Sequence, residues 1–328
     1  MFAAMQALYP LRFQPVYQAY LWGGTRLASI YGRTGTGPVC AESWEIADRP
    51  DGMSVVVNGP LAGRTLGDLV RAEGERLLGT GVRADRFPLL IKLIDARERL
   101  SVQVHPNDAT APRTGGEPKT EMWYVLAADR DAVVFAGLVP GTRRDRLEQA
   151  IRDQALEPLL ARTPVRPHTA IYIPGGCLHA IGAGCLLLEV QQNSNTTYRV
   201  HDWGRVDQDG RPRALHVSEA LTVVDLAMPA PTLLEPPPPP MDSATGREVL
   251  RSPYFRIARV RGTQPLAVRH AGHSFHALFI AGGGGSVTAG QVTTTLREGQ
   301  SCLVPAVCTD YVLQPGPEGL DALRITLG

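Results

Sequence analysis

Polar and apolar side chains alternate in two short segments on either side of a polar loop near the middle of the chain. From Ser101 to His105 the alternation predicts a strand with Ser101, Gln103 and His105 on one face. After the loop it places Lys119 and Glu121 on a common face of a second strand. If the two strands are adjacent, as in a hairpin, an amide oxygen, an imidazole and a carboxylate converge. The pattern therefore indicates part of a metal site.

Charged side chains also occur inside segments that are otherwise typical of strands. Lys92 lies in the apolar run 87–95, where an ammonium is costly unless it reaches a partner or a cavity. The alternative is that its long side chain reaches solvent. Glu42 and Glu45 lie in a short strand predicted at 42–46, and this pattern favours an edge strand whose acidic residues face water.

The remaining pattern predicts a mainly β protein with a few helical insertions. Helices are expected near 65–79 and 142–160, with Thr65 and Thr142 as their capping residues. Short strands dominate elsewhere, and 34 Gly and 27 Pro suit a turn-rich β chain. Five consecutive prolines at 236–240 predict a stiff linker. We therefore expect a larger domain over 1–228 that contains both helices, a linker over 229–245 and a smaller β domain over 246–328.

Composition and charge exclude several classes of protein. The 328 residues carry 33 basic and 32 acidic side chains, a formal charge of +1, so no overall field favours nucleic acid or an anionic membrane. No apolar run reaches membrane-spanning length, and the first eight residues lack the basic start of a secretion signal. Five cysteines without a C-x-x-C pair indicate free thiols in a reducing compartment, so a cytoplasmic location is expected.

A histidine in a third strand segment extends the predicted metal shell. His179 follows a glycine turn after the strand predicted at 170–174. Together with His105, Glu121 and the nearby Gln103, it offers nitrogen and oxygen ligands without a thiolate. Such a set fits Zn²⁺ in an open catalytic site, although Fe²⁺, Mn²⁺ and Co²⁺ are not excluded by ligand type.

Two other segments resemble sites without having the residues that a site needs. His270, His273 and His276 lie close together, but no carboxylate follows at a useful spacing, and surface or core histidines are the favoured interpretation. The four glycines at 282–285 are not followed by the Lys-Ser/Thr pair of a phosphate-binding loop. Neither segment therefore predicts a binding site.

Several motifs together resemble the type I mannose-6-phosphate isomerases, and most closely their short bacterial form. The resemblance extends from Trp22 to Arg205, and the second domain shares only the general character of the family. The matching segments are 22–24, 42–45, 87–95, 100–106, 119–126, 173–182 and 189–205. The resemblance implies two cupin-like jelly-roll domains and one zinc ion per chain. It also implies interconversion of mannose 6-phosphate and fructose 6-phosphate through an enediol(ate).

The resemblance also implies roles for individual residues. The zinc ligands of the family fall on Gln103, His105, Glu121 and His179. The essential arginine falls on Arg199, and the pocket-lining residues fall on Lys92, Lys119 and Glu189. One position departs from the family, because Asn195 stands where many relatives have an aspartate four residues before the arginine. If that aspartate carries protons in relatives, either another group does so here or the rate is reduced.

A mechanism can be outlined from these residue types, with some roles left open. Arg199 cannot act as a base at neutral pH, so we assign it to stabilisation of the enediolate or to positioning of the substrate. Lys119 and Glu189 are rival proton carriers. Lys92, Lys119 and Arg199 together supply positive charge for a phosphate group. The expected partner is a sugar phosphate, and the chain is expected to be a monomer or a weak homodimer.

Two functions from other classes stay open at this point. The chain could be a cupin that binds a sugar phosphate or a metal without catalysis, which only Asn195 supports. It could also be a different metal-dependent cupin enzyme, such as an iron dioxygenase. The positive charge of Lys92, Lys119 and Arg199 argues against the second alternative, because it suits an anionic substrate.

Overall fold

The computed structural model describes residues 7–206 and 209–328. Residues 1–6 lie outside the described residues. They make up most of the N-terminal segment for which the sequence predicts no secretion signal. The chain is 42% strand and 13% helix, which confirms a mainly β fold with few helices. Among the described residues, no helix has the length and apolar character needed to cross a membrane.

In chain order, the strands are β1 Phe13–Gln14, β2 Val16–Gln18, β3 Glu42–Ile46, β4 Asp48–Arg49, β5 Gly52–Met53, β6 Val55–Val56, β7 Leu89–Ala96, β8 Val102–Val104, β9 Glu121–Ala128, β10 Val133–Leu138, β11 Leu160–Pro164, β12 Ala170–Ile173, β13 His179–Ile181, β14 Cys185–Gln192, β15 Tyr198–His201, β16 Leu233–Leu234, β17 Arg247–Arg251, β18 Phe255–Gly262, β19 Leu266–Arg269, β20 His276–Ala289, β21 Val292–Arg297, β22 Ser301–Val304 and β23 Asp310–Leu327. The α-helices are α1 Arg26–Ser29, α2 Leu66–Glu73, α3 Glu75–Leu78, α4 Ala111–Thr114, α5 Arg144–Arg152 and α6 Val217–Val223. Short 3₁₀ turns occur at Gly59–Leu61 and Glu157–Leu159.

The described chain divides into two compact units that are not continuous in sequence. The central unit comprises 17–43 and 91–235, and the C-terminal unit comprises 236–328 together with 44–90 and the residues up to Val16. The helical segment at 65–79 thus belongs to the same unit as the C-terminal strands. The domains expected at 1–228 and 246–328 are continuous in sequence, and their bounds differ from those of the two compact units. The expected domain bounds therefore stay a prediction.

Two sheets pack face to face in the central unit. One has the strand order β11-β10-β13-β8-β15, and the other contains β16-β12-β9-β14 followed by β7, β3 and β2. Val134 and Ile181 from the first sheet share a core with Trp123 and Ile173 from the second. Because side chains alternate along each strand, every second residue points into this core or toward its open end.

The C-terminal unit contains a second rolled sheet with the order β17-β18-β23-β20-β21. Strand β19 also pairs with β23, and β22 pairs with β20. Register shifts between Ile280 and Gly282 and between Gly283 and Gly285 bend the long strand β20, so that its two halves meet different parts of β23. The glycine run therefore serves strand bending, which agrees with the expectation that it is no phosphate loop.

The two predicted helices are present but shorter than expected. Thr65 caps α2 by accepting the backbone N–H of Asp68 at 3.0 Å, which confirms the predicted cap. Gly74, with φ of 48°, then separates α2 from α3. The second helix covers only Arg144–Arg152, and Thr142 does not cap it, because its hydroxyl donates to the carbonyl of Val139 at 2.7 Å instead.

Candidate metal centre and active-site cavity

The predicted metal-ligating side chains meet inside the central unit, but they do not come from a hairpin. His105 directly follows β8, and His179 begins β13, which pairs with β8 at Gln103. Glu121 begins β9 in the opposite sheet. The expectation that the first two strands are adjacent was therefore wrong. The connection between them is long enough to include helix α4, and it carries the chain from one sheet to the other.

Three buried side chains form a compact triad of His105, Glu121 and His179. The Nε2 atom of His105 lies 3.4 Å from Glu121 Oε2, and the Nε2 atom of His179 lies 3.3 Å from Oε1. Ligand atoms bound at zinc distances around a tetrahedral ion lie about 3.3–3.4 Å apart. The two imidazole–carboxylate distances therefore fit a single ion of that size, and all the ligand atoms lie within 4.8 Å of one another.

Hydrogen bonds fix the tautomers of both imidazoles. His179 Nδ1 donates to the carbonyl of Cys177 at 2.9 Å, which leaves the lone pair of Nε2 facing Glu121. His105 Nε2 accepts from the ammonium of Lys119 at 3.1 Å. Burial, together with the charge of Lys119, lowers the pKa of His105 to about 3, and burial also lowers the pKa of His179. Both rings are therefore neutral at physiological pH, as metal ligands must be.

The buried carboxylate of the triad lacks the partners that such a group normally has. Neither oxygen of Glu121 accepts a hydrogen bond from the described residues, and Nδ1 of His105 is also buried without a partner. Lys119 Nζ lies 2.8 Å from Glu121 Oε2, outside hydrogen-bond geometry. Although burial opposes it, the Lys119 charge holds the pKa of Glu121 well below its usual range. An ionised, poorly satisfied carboxylate beside two imidazole lone pairs fits a divalent cation.

A chain of alternating charges continues from the triad. Lys92 Nζ lies 3.1 Å from Glu189 Oε1 and 3.2 Å from Glu42 Oε2, and all three side chains are buried. Burial opposes the charge of Lys92, but Glu189 and Glu42 raise its pKa above the usual value. The lysine in the apolar run therefore reaches partners rather than solvent. The prediction that Glu42 and Glu45 face water was wrong, because both are buried within their strand.

Glu189 is the other carboxylate that faces both lysines. Its Oε2 accepts the indole N–H of Trp123 at 2.9 Å, and its Oε1 lies 3.9 Å from Lys119 Nζ. Burial raises the pKa of Glu189, and the negative charge of Glu121 adds to that effect. The acids and lysines thus alternate in the order Glu42, Lys92, Glu189, Lys119, Glu121.

Beside this chain of charges lies a cavity of about 200 Å³, which we call the active-site cavity. Its lining residues are Tyr20, Trp22, Glu42, Lys92, Ile94, Leu100, Ser101, Gln103, Lys119, Glu189, Asn195, Thr197, Arg199 and Arg213. It includes Gln103, whose amide lies 3.4 Å from His179 Nε2 and connects the cavity to the triad. The structure thus brings together all eight predicted site residues.

Arg199 is held rigidly at the wall of this cavity. Its Nε donates to Ser101 Oγ at 3.1 Å, and Nη1 donates to the carbonyl of Ala214 at 3.0 Å. His201, two residues further along β15, does not line the cavity, because a register shift between Arg199 and His201 breaks the alternation. Its ring packs against Trp203 instead, at 4.8 Å between centroids.

Sequence reasoning missed Arg213, which lines the cavity from outside the predicted strands. Its guanidinium donates to both oxygens of Asp202, at 2.8 and 2.5 Å. Asp202 also accepts from Arg205, and although burial opposes it, the two arginines lower its pKa. No local pattern marks Arg213, since the loop that carries it has no strand alternation. The only signal was its nearness in sequence to the Asp202-Trp203 motif.

A jelly-roll in which two imidazoles and a carboxylate converge inside the barrel is the architecture of the metal-binding cupins, and this chain belongs to that class. Comparisons with known proteins narrow the class further. Residues 10–134 match the family model described as phosphomannose isomerase type I, catalytic domain. Mannose-6-phosphate isomerase of Streptococcus mutans is 35% identical over 300 residues, which cover 90% of this chain and 92% of the relative.

Further comparisons agree with this assignment. Mannose-6-phosphate isomerase ManA of Bacillus subtilis is 42% identical over 219 residues, covering 66% of this chain and 68% of the relative. The crystal structure of the mannose 6-phosphate isomerase from Bacillus subtilis superposes with a TM-score of 0.86 at 30% identity, covering 97% of this chain and 99% of that one. The chain belongs to the type I phosphomannose isomerase family, and the predicted fold and family are confirmed.

Proposed function

We propose that this protein interconverts mannose 6-phosphate and fructose 6-phosphate through an enediol(ate), as a cytoplasmic monomer or weak homodimer. The observation that carries the proposal is the cationic active-site cavity beside a buried His–Glu–His triad. The cationic lining groups Lys92, Lys119 and Arg199 suit an anionic substrate, and the triad suits an electrophilic ion next to it. A non-catalytic binder would have no use for proton-accepting carboxylates next to such an ion.

The ion that fits this donor set best is Zn²⁺, one per chain. His105, Glu121 and His179 would hold it, with the amide oxygen of Gln103 as the fourth ligand. Such a set has a single negative charge, so a bound Zn²⁺ keeps its Lewis acidity and can polarise the carbonyl of the open-chain sugar. The amide of Gln103 is free to present its oxygen after rotation by half a turn, because nitrogen and oxygen ends are nearly equivalent in shape.

We assign Arg199 to the substrate rather than to proton transfer. The contacts with Ser101 and Ala214 leave the guanidinium in place before the substrate arrives. A rigid, permanently charged group of this kind stabilises negative charge as it develops on the substrate without reorganising. Lys92 lies at the cavity wall and also contacts Glu42 and Glu189, so besides adding positive charge for the substrate it keeps these two acids in position.

We assign the proton transfers to Glu189 and Lys119, which face one another across 3.9 Å. The isomerisation removes a proton from one carbon and returns it to the neighbouring carbon, so a single basic group can serve both steps. Glu189 has one oxygen held by Trp123 and the other directed toward the two lysines. A pKa raised by burial makes the Glu189 carboxylate a stronger base than an exposed one. Lys119 is placed to move protons to and from the sugar hydroxyls.

The proposal is tested by a coupled assay of fructose 6-phosphate formation from mannose 6-phosphate. The full chain is stripped with a chelator, restored with Zn²⁺, and its metal content is measured beside its turnover. Zinc-dependent turnover at one zinc per chain supports the proposal. Absence of turnover with one zinc bound would overturn it in favour of a binding protein, and would direct attention to Asn195.

The same assay separates the two proton carriers. Glu189→Gln and Lys119→Ala are compared at equal zinc content, with Arg162→Ala, an arginine of the central unit that does not line the cavity, as the control. Loss of turnover in both variants, with the control unchanged, supports the paired assignment. Full turnover in Lys119→Ala would remove Lys119 from the mechanism, and full turnover in Glu189→Gln would remove Glu189.

A further inference from the structure

The rolled sheet of the C-terminal unit has polar side chains where its inward-facing rows reach one end. On β20, Leu278 belongs to the core, and His276, two residues earlier, lines a cavity. On β23, Ala322 belongs to the core and Arg324 lines the same cavity. His270 continues the inward row of β19 in the same way. We call this space of about 450 Å³ the second cavity.

The lining of the second cavity is strongly basic. Its lining residues with charged side chains are Glu248, Arg251, Arg256, Arg269 and Arg324. Arg251 is paired with Glu248 at 2.8 Å, and Arg269 is paired with Asp310 at 3.1 Å. In the part of the chain that the structure describes, Arg256 and Arg324 have no ion pair. Two uncompensated guanidinium groups in one concave space favour a ligand with at least two negative charges.

Two polar side chains that line the second cavity, Arg324 and His276, are held in place by hydrogen bonds. Arg324 is anchored by bonds to the carbonyls of Ala244 and Thr245, at 2.7 and 2.9 Å. Burial raises the pKa of Tyr311, so the phenol keeps its proton. The Tyr311 hydroxyl lies 2.7 Å from His276 Nδ1, which is the hydrogen-bond partner that the described residues offer it, so we assign the phenol as donor and Nδ1 as acceptor. Burial also lowers the pKa of His276 to about 3, so the ring is neutral and its single proton is on Nε2.

This Nε2–H group has no partner among the described residues, although His276 is only 7% exposed. His276 Nε2 is not among the fully buried atoms that lack a partner, so it is open to the cavity that His276 lines, and an acceptor can reach it from there. The ligand is therefore expected to bring an oxygen acceptor to His276 together with negative charge for the arginines.

A metal ion does not fit this site. His270 uses both ring nitrogens, donating to the carbonyl of Cys308 at 2.9 Å and accepting the N–H of Gly272 at 3.2 Å. The described residues contain no second group of three metal-ligating side chains besides the triad of the central unit. With arginines around it and no carboxylate among its buried lining residues, the second cavity attracts anions and repels cations.

We propose that the second cavity binds a small phosphate-bearing anion, with phosphoryl oxygens on Arg324, Arg256 and the Nε2–H of His276. Phosphate oxygens match the geometry of guanidinium groups and accept several hydrogen bonds at once. The site is separate from the active-site cavity in its residues and does not depend on the isomerase activity. Its ligand is either free phosphate or a phosphate ester, since both present the same group to these donors.

The test is a calorimetric titration of the zinc-loaded full chain with inorganic phosphate. Wild-type protein is expected to show a binding event that Arg256→Ala weakens at least tenfold. Arg324→Met removes the other unpaired guanidinium group of the cavity. This variant carries a greater risk to folding, because Arg324 also donates hydrogen bonds to two backbone carbonyls. Arg256 is exposed and unpaired, so its truncation leaves the fold intact. The matched control is Arg297→Ala on β21, which does not line the second cavity.

A second readout assigns the binding event to this cavity. The imidazole ¹⁵N resonances of His276 are followed during the titration, and they shift with phosphate in wild type and in Arg297→Ala. Equal phosphate affinity in Arg256→Ala and Arg297→Ala, or unshifted His276 resonances, would overturn the proposal. A titration with fructose 6-phosphate separates the two sources of the ligand. If the His276 resonances shift at a fructose 6-phosphate concentration ten times lower than the inorganic phosphate concentration, the ligand is a phosphate ester. If the two concentrations are equal, the ligand is free phosphate.

Discussion

The charge chain of the central unit makes a sharp prediction for Lys92→Met. The substitution keeps a long apolar stem, and it removes the ammonium that lies 3.2 Å from Glu42 Oε2. It also removes the nearest one to Glu189, whose remaining cation is Lys119 at 3.9 Å. Two buried carboxylates then each lose a close cationic partner.

The expected cost follows from the burial of the three groups. Their side chains are between 3% and 9% exposed, so screening by solvent is weak. Removing one partner of a buried pair costs about 3–5 kcal/mol, because the other partner stays buried and unpaired. For domains of 150–250 residues this corresponds to a fall in Tm of roughly 10 °C. The control, Glu42→Gln, keeps the Lys92–Glu189 pair and is expected to lose less.

The pH dependence of Lys92→Met has a definite sign. Without the ammonium, the pKa of Glu189 rises further above that of an exposed glutamate, so the folded state holds a proton that the unfolded state has lost. Stability then falls as the pH rises from about 4.5 through the raised pKa. The loss in the variant is therefore smaller at pH 5 than at pH 8.

Urea unfolding, followed by tryptophan fluorescence at both pH values, measures these differences. The double variant Glu42→Gln/Lys92→Met is expected to recover part of the loss, since one of the two carboxylates that lost the ammonium is gone. A loss below 1 kcal/mol at pH 8, or a loss that is larger at pH 5, would refute the reasoning that Lys92 is required to neutralise buried acids.

Four other predictions concern the site and one helix. Lys119→Gln is expected to bind Zn²⁺ at least tenfold more tightly in a competition with a chromophoric chelator, because the repulsion between the ammonium and the cation is removed. Unit charges about 4 Å apart interact by about 4 kcal/mol at an effective dielectric constant of 20. Unchanged affinity would contradict this prediction. Arg199→Lys is expected to lower kcat/KM by about 100-fold or more at unchanged zinc content, since a lysine cannot reproduce the planar contacts with Ser101; near-normal kcat/KM would show that charge alone suffices. Asn195→Asp is expected to raise KM severalfold by adding a negative charge to the cavity that receives a phosphate ester, and a rise in kcat would instead show that an acid at this position carries protons. Thr65→Ala is expected to lower stability by about 1 kcal/mol through loss of the helix cap, with kcat unchanged; a loss near zero in urea unfolding would mean that the cap is replaced by water.

The parts of the site that sequence could predict are those set by local alternation. Gln103 and His105 are two residues apart, and Glu121 and His179 each begin a strand, so the periodicity of single strands was enough to identify the donors. The partners of each strand are set by contacts that are distant in sequence. For that reason, the hairpin expected between β8 and β9 was wrong, although the donors do converge.

Burial of isolated charges is a second feature that local pattern does not determine. Glu42 resembles an acid on an edge strand, yet β3 lies between β7 and β2 in a seven-stranded sheet and the side chain meets Lys92 from the neighbouring strand. The end of the helix predicted at 142–160 is another feature that local pattern did not determine. The helix ends at Arg152, and Gln154, two residues later, adopts φ of 53°, which the apolar spacing of Leu156 and Leu159 does not reveal.

Under the two proposals, the metal triad of the central unit and the second cavity of the C-terminal unit bind ligands of opposite charge in one kind of fold. In the central unit, three buried glutamates alternate with two lysines, so their charges nearly cancel. A divalent cation beside Glu121 therefore meets little net repulsion. In the C-terminal unit, the inward row ends in arginine, tyrosine and histidine, with no buried carboxylate among the lining residues. The sign of the preferred ligand thus depends on whether acids are buried with the bases at the end of the barrel, and less on the shape of the barrel itself.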